Sequence, residues 1–297
     1  MKSVPIWNNV DPINFDITQN CKYIEDFFDK IFYPYKTIYL SKARHFIPIV
    51  LRQHHLTRGD TIFTIPYSSH CVLSSIGMQA TPITQVDQTV IDASIVFHQY
   101  GKKEVVDNLK YPNVILEDSV DSIILDSSEN SIFPNNSNYA IISLPKILPV
   151  PFGGIMICRN NEDYGDIYDI VQKEKSVSSD FPLKLFLNNH YLREAILSEF
   201  KRVSFSVPNF DLLYQRSVEK VRSNCLAVQN LFDIKFDISQ RLPSNALTDN
   251  FDILLKDIYK EKKIESPIRH IFDYDSNSIH KKVLIPVHSG IDWCEVK

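Results

Sequence analysis

The sequence predicts an α/β protein: a mainly parallel mixed sheet flanked by helices, followed by a smaller C-terminal α+β domain. Three observations predict it. Short apolar runs alternate with helical patterns over residues 1–161, which is the signature of parallel strands joined by crossover helices. The last two apolar runs, Tyr139–Ser143 and Ile155–Cys158, are joined by a turn too short for a helical crossover, so they pair antiparallel. After about residue 162 long polar helical patterns dominate. The expected domains are therefore 1–161, the larger, and 162–297.

Taken in order, residues 21–35 read as a helix stopped at Pro34. Thr37–Leu40 is a strand, and an apolar helix runs from Ser41 through Phe46, Ile49, Val50 and Leu51. Thr61–Ile65 is a strand ended by Pro66. A serine-capped helix then runs from Ser68 or Ser69 to Gly77. Ile83–Val86 and Ser94–Phe97 are short strands, and Lys102–Leu109 is expected as a polar helix. Val114–Leu116, Tyr139–Ser143 and Ile155–Cys158 complete the sheet. Helices are expected over Phe181–Phe200 and Leu212–Phe232.

Composition narrows the function. Apolar residues are 44% and charged residues 23% of 297, as in ordinary globular chains. A net charge of −4 gives no reason to expect nucleic acid or an anionic membrane as partner. No apolar run approaches the ~20 residues of a membrane span, and the N-terminus lacks the apolar core of a signal peptide. Five cysteines, an odd number without C-x-x-C spacing, read as reduced thiols of a cytoplasmic protein. No zinc spacing, phosphate-loop motif or G-x-G-x-x-G occurs.

The informative stretch runs from Tyr139 to Cys158. A strand ends at Ser143, Lys146 follows, and a Pro-rich turn leads to Gly153-Gly154 and the next strand. A strand-end lysine alone is ordinarily a solvated charge; proline and glycine punctuation makes this one placed. Upstream, Val114-Ile-Leu-Glu117-Asp118 puts an acid at the end of another strand. A lysine amine and a carboxylate at strand ends suit pyridoxal phosphate. Its aldehyde needs an amine, and its ring nitrogen needs an acid to keep it protonated. Ser143-x-x-Lys146 is also the acylation spacing of penicillin-binding proteins, but no K-T-G strand follows.

Glu117-Asp118, Lys146 and Gly153-Gly154, in that order and spacing, resemble the DegT/DnrJ/EryC1/StrS family of pyridoxal-phosphate-dependent sugar aminotransferases, of fold type I. His98-Gln99-Tyr100-Gly101 is similar to its "H-x-Y-G", Val218–Asn224 to its "KRRxNY" helix, and Val283–Gly290 to its closing "LPIHPG". Between the last two landmarks the chain is shorter than a usual member, so the resemblance implies a reduced C-terminal domain. It implies that Lys146 holds the cofactor and moves the proton, that Asp118 faces the ring nitrogen, and that His70, in Pro66-Tyr67-Ser68-Ser69-His70, stacks on the ring. Ser41-Lys42-Ala43-Arg44 stands where the family has its "S-G-T" phosphate turn, and Ser143 is a further phosphate contact. Asp121 stands where the family has Gln or His beside the ring hydroxyl. Asn188 and Asn189 are candidates for an asparagine sent to the phosphate of a partner subunit, which implies a homodimer. The implied reaction carries an amino group from an amino acid, glutamate by expectation, to a nucleotide-linked keto-sugar in surface polysaccharide or amino-sugar biosynthesis. The alternative is a degenerate homologue that serves as a scaffold or regulatory partner. A sugar dehydratase of the family has histidine in place of the lysine, so Lys146 argues against that reaction.

Overall fold

The structure is a computed structural model that describes residues 15–85, 90–176 and 190–294. The chain opens with β1 (Asp16–Thr18) and α1 (Lys22–Ile31), then β2 (Lys36–Leu40), a 3₁₀ turn at Ala43–His45 and α2 (Phe46–Gln53). β3 (Thr61–Phe63), α3 (His70–Gly77), β4 (Thr81–Ile83) and β5 (Ala93–Phe97) follow. Next come β6 (Val114–Asp118), β7 (Ser122–Ile124), α4 (Glu129–Ile132), β8 (Tyr139–Ser143), α5 (Leu144–Ile147), β9 (Gly154–Cys158) and α6 (Asn161–Gln172).

These strands build a seven-stranded sheet in the order β2-β9-β8-β6-β5-β3-β4. The pairs from β4 through β3, β5 and β6 to β8 are parallel. β9 runs antiparallel to both β8 and β2, as the short connection required. Period-two alternation sends neighbouring side chains to opposite faces. Ile38 and Leu40 of β2 and Met156 of β9 join one apolar cluster with α2 and α6. Tyr39, Ile155 and Ile157 join the other, with α1 and the C-terminal elements. Both sheet edges are protected from stray pairing. α1 caps β2: Thr37 N–H donates to Asp29 Oδ1 at 2.7 Å and Tyr39 N–H to Glu25 Oε1 at 2.9 Å. At the far edge β4 carries Pro82, which cannot extend a ladder.

The C-terminal half adds α7 (His190–Glu199), β10 (Ser204–Ser206), α8 (Phe210–Phe232), β11 (Arg241–Pro243), β12 (Asn245–Thr248), α9 (Asp257–Glu261), β13 (Ile268–Asp273) and β14 (Ser278–Pro286). β12, β14 and β13 form an antiparallel sheet in that order. β11 returns to pair with β7, tying this half to the first. Asn224 of α8 donates to the carbonyls of Val287, His288 and Ile291, so the two C-terminal sequence landmarks are bolted together. Among the described residues no helix is long and apolar enough to cross a membrane.

Some expectations needed correction. Lys102–Leu109 is not a helix but an extended segment ending in a turn. Its backbone is claimed by distant partners: Glu104 N–H donates to His98 Nδ1 and Val106 N–H to Asn135 Oδ1. The strand expected at Ile83–Val86 sits earlier, at Thr81–Ile83. Ser69 occupies the N-cap of α3 but makes no capping bond there.

Candidate active site

Five of the sheet strands, β2, β3, β5, β6 and β8, bring chain to one edge of the sheet, and the cavity lies there. Thr64 just past β3, Phe97 of β5, Asp118 of β6 and Ser143 of β8 line it, together with Lys42 after β2 and Lys146. These are the carboxyl ends of the parallel strands, the usual ligand crevice of open α/β sheets. The cavity measures about 290 Å³, at the small end for small-molecule sites.

Lys146 sits inside the one-turn helix α5 rather than at the strand end, with Ser143 at its N-cap. Its Nζ donates to Asp121 Oδ1 at 2.7 Å. Asp121 is completely buried, does not line the cavity, and also accepts from Tyr100 N–H at 3.3 Å. The acid that replaces the family's Gln or His thus faces the lysine. Asp118 is 3% exposed, at the cavity floor. Burial pushes its carboxyl up to about 7, Lys146 pulls it down, and Asp121 pushes it further up.

The Gly pair holds this geometry. Gly153 N–H donates to the Ser41 carbonyl at 2.9 Å and its carbonyl accepts from Leu144 N–H at 3.0 Å, so the turn after β2 is strapped to α5. A Cβ on Gly154 would lie 2.2 Å from Ala43 N; only glycine lets β9 start so close to that turn. Gly101 does the same against Pro243, where a Cβ would meet Cα at 2.4 Å.

Of the turn residues, Lys42, Ala43 and Arg44 line the cavity and Ser41 does not. Ser41 is buried and its hydroxyl donates to the Leu197 carbonyl of α7 at 3.1 Å instead of capping a helix. Lys42 Nζ and Arg44 Nη2 both donate to Glu194 Oε2, at 2.9 and 2.5 Å. Burial raises the Glu194 carboxyl, and its bonds to Lys42 and Arg44 more than offset this, leaving it below the ordinary range. Ser143 also lines the cavity, and its hydroxyl makes no hydrogen bond among the described residues. His70 does not belong to the cavity. It opens α3, is exposed, and its Nδ1 lies 3.4 Å from Ser74 Oγ of the same helix. The α3 turn instead presents Tyr67, Ser68, Cys71 and Val72. Asn188 and Asn189 lie outside the described residues.

Sequence reasoning missed Glu194 and Tyr67 altogether, and gave Tyr100 no chemical role. Glu194 is 150 positions from Arg44 on another helix, so no local signal exists. Tyr67 carried one signal: a Pro-led turn before a helix start. Glu117, beside Asp118, is structural. It accepts from Asn135 N–H and Nδ2 and pairs with His98 Nε2 at 3.1 Å. Burial lowers His98 to about 4, so it is neutral, and since Nδ1 accepts from Glu104 the proton is on Nε2.

The residues present fit pyridoxal phosphate at two ends: an amine and a buried acid line one cavity, with the Ser143 hydroxyl nearby, which has no hydrogen-bond partner among the described residues. At the third end the two cations suited to a phosphate are neutralised by Glu194.

A family model described as "Putative PLP-dependent aminotransferase" matches residues 24–267. No curated protein matches the sequence. Among solved structures, the "Putative sugar aminotransferase Spr1654 from Streptococcus pneumoniae, PLP-form" aligns with TM-score 0.57 at 12% identity, over 96% of this chain and 89% of that one. Helicobacter pylori PseC, an aminotransferase involved in the biosynthesis of pseudoaminic acid, aligns with TM-score 0.56 at 12% identity, over 93% and 88%. A DegT DnrJ EryC1 StrS aminotransferase from Brucella abortus aligns with TM-score 0.53 at 12% identity, over 85% and 75%. At such identity the structures establish the fold, fold type I, and the family match establishes the rest: the chain belongs to the PLP-dependent aminotransferases and takes pyridoxal phosphate as its cofactor.

Proposed function

We propose that this aminotransferase acts on a nucleotide-linked keto-sugar, with an amino acid, glutamate by expectation, as the amine donor. The observation that carries the site assignment is Lys146 and Asp118 in one cavity at the carboxyl ends of neighbouring parallel strands. When bound, pyridoxal phosphate supplies an aldehyde for amine capture and a ring that accepts electrons. Lys146 is the amine that holds it and the base that carries a proton to and from the substrate carbon. Asp118, buried and facing the cavity, would face the ring nitrogen as a carboxylate and keep that nitrogen protonated. Asp121 orients Lys146 through the 2.7 Å contact. Ser143 and the Lys42–Arg44 turn contact the phosphate, with Glu194 displaced from the cations.

The sugar assignment is supported by the sugar aminotransferases among the fold neighbours. Homodimer assembly and a place in polysaccharide or amino-sugar synthesis are supported by the resemblance of motifs, and a cytoplasmic setting by the odd number of cysteines without C-x-x-C spacing. Light scattering is expected to give twice the chain mass; a monomer that retains cofactor tightly would remove the dimer from the proposal. For the site, Lys146→Ala should abolish the near-visible absorbance of bound cofactor and its borohydride-trappable link, and lower turnover by several orders of magnitude, while circular dichroism stays unchanged. An unchanged spectrum would sink the assignment. If the wild type binds no pyridoxal phosphate saturably, a scaffold of the same fold replaces this reading.

A further inference from the structure

A buried carboxyl group sits in the seam where the β13–β14 hairpin docks on the segment after β5. Gln99 holds the edge of β13 in both directions. Its Nε2 donates to the Phe272 carbonyl at 2.7 Å, and Phe272 N–H donates to its Oε1 at 2.9 Å. Phe97 N–H donates to the Tyr274 hydroxyl at 3.0 Å, and the Tyr274 carbonyl accepts from the Tyr111 hydroxyl at 3.1 Å. Phe272 and Tyr274 are buried with Val106 and Tyr111 in one apolar cluster.

Glu104 lies in this seam and is 6% exposed. Its backbone is fixed from within: its N–H donates to His98 Nδ1 at 2.9 Å and its carbonyl accepts from Asn135 Nδ2 at 3.0 Å. Its Oε2 accepts from Lys102 Nζ at 3.1 Å, while Oε1 is buried with no hydrogen-bond partner among the described residues. An unpaired buried oxygen is far more costly on an anion than on a neutral carboxyl group. The hairpin turns two more acids toward it, Asp273 and Asp275, and the Tyr274 ring also faces it. Of the nearby cations, Lys110 is taken up by the Tyr274 and Asp275 carbonyls, and His280 lies 3.9 Å from Asp273. Burial raises the Glu104 carboxyl from 4.5 to about 7, Lys102 pulls it down, and Asp273 and Asp275 push it further up.

The hairpin is also one lip of the Lys146 cavity. His270 of β13 stacks on Tyr67 with ring centroids 4.8 Å apart, Arg269 hydrogen-bonds Tyr100, and both tyrosines line the cavity. We propose that Glu104 is a pH-sensitive clasp for this lip: with its proton it lets the hairpin dock, and as a carboxylate beside Asp273 and Asp275 it favours release and an open cavity mouth. The docked form binds the proton more tightly than the released form, in which water reaches the carboxylate. Docking is therefore strongest in acid and weakens as pH rises through about 7. The clasp does not depend on which substrate the cavity takes.

The test is amide hydrogen exchange of the full chain, each rate divided by its intrinsic value. The reporter is the Phe272 amide, whose bond to Gln99 crosses the seam. The β8–β9 ladder reports opening of the large sheet. Phe272 should exchange faster than that ladder and lose protection about tenfold between about pH 6 and pH 8. Glu104→Gln should make its protection constant over that range. Asp275→Asn, a change at an exposed side chain, should leave the fold intact and shrink the loss. Three results would each overturn the clasp: no loss of protection in the wild type, a loss that persists at full size in both variants, or a Phe272 amide that opens only together with the β8–β9 ladder.

Discussion

Asp118 shows how far burial alone sets up chemistry. Its carboxyl rises from 3.8 to about 7 because it is desolvated and has Asp121 as neighbour, with Lys146 as the opposing influence. The folded chain therefore holds that proton more tightly than the unfolded chain. The stability it contributes is fully present below about pH 4 and is lost as pH rises through about 7. In cofactor-free protein, Asp118→Asn should flatten the stability profile between those values by up to about 1.4 kcal/mol per pH unit. Urea unfolding across that range measures it, and identical slopes would mean Asp118 does not titrate there. With cofactor bound, Asp118 in the proposed role would face the ring nitrogen as a carboxylate, the form that keeps that nitrogen protonated.

At the scale of elements, the contact between the turn after β2 and α7 bears on the proposed phosphate site. Lys42 and Arg44 come from one element and Glu194 from another, and the carboxylate neutralises both cations. A phosphate must displace it, and each charge-assisted bond involved is worth roughly 1.5–3 kcal/mol. Glu194→Gln should therefore tighten pyridoxal phosphate binding by about tenfold, while Ser143→Ala should weaken it by about the same factor. Fluorescence or absorbance titration of apo-protein reads both. Weaker binding in Glu194→Gln would show that the glutamate helps hold the turn in place.

For the whole molecule, the junction of α8 with the closing segment is a buried polar anchor. Asn224 is fully buried, donates to three carbonyls after β14, and accepts from Trp293 N–H at 3.2 Å. Trp293 is buried against Phe232 and Tyr259. Asn224→Ala takes a partner from the Val287 and Ile291 carbonyls and the Trp293 N–H, while the His288 carbonyl keeps the Ile291 N–H, and should cost about 3 kcal/mol of unfolding free energy. Because this half carries β13 and β11, it should also loosen the cavity mouth. Denaturant midpoints test the first effect. A loss under ~1 kcal/mol would mean that water replaces the side chain without penalty.

Most strand positions of the large sheet and the helices α2 and α3 could be read from the sequence because they rest on local physics, apolar period, proline stops and short connections, whereas β7, α4 and α5 were not expected. The same holds for Lys146, Asp118 and the glycine pair, whose types and spacing follow from strand ends. The segment Lys102–Leu109 could not be read, because its polar pattern suits a helix and only distant partners, His98 and Asn135, pull it straight. His70 was misplaced for a related reason. Its position in the motif is local, but which face of α3 meets the cavity depends on how that helix packs, and Tyr67 and Cys71 face inward instead. Asp121 was legible as an oddity, yet its direction toward Lys146 follows from α5 meeting β7, whose start Asp121 precedes, in space. Glu194 lies beyond any local rule, since the charge of the phosphate turn is set by a helix 150 positions away. The sequence by itself determined the sheet, the amine and the acid, because each depends on neighbours in the chain. The tertiary structure alone decided which charges cancel, because Coulomb and hydrogen-bond energies depend on distance through space and not along the backbone.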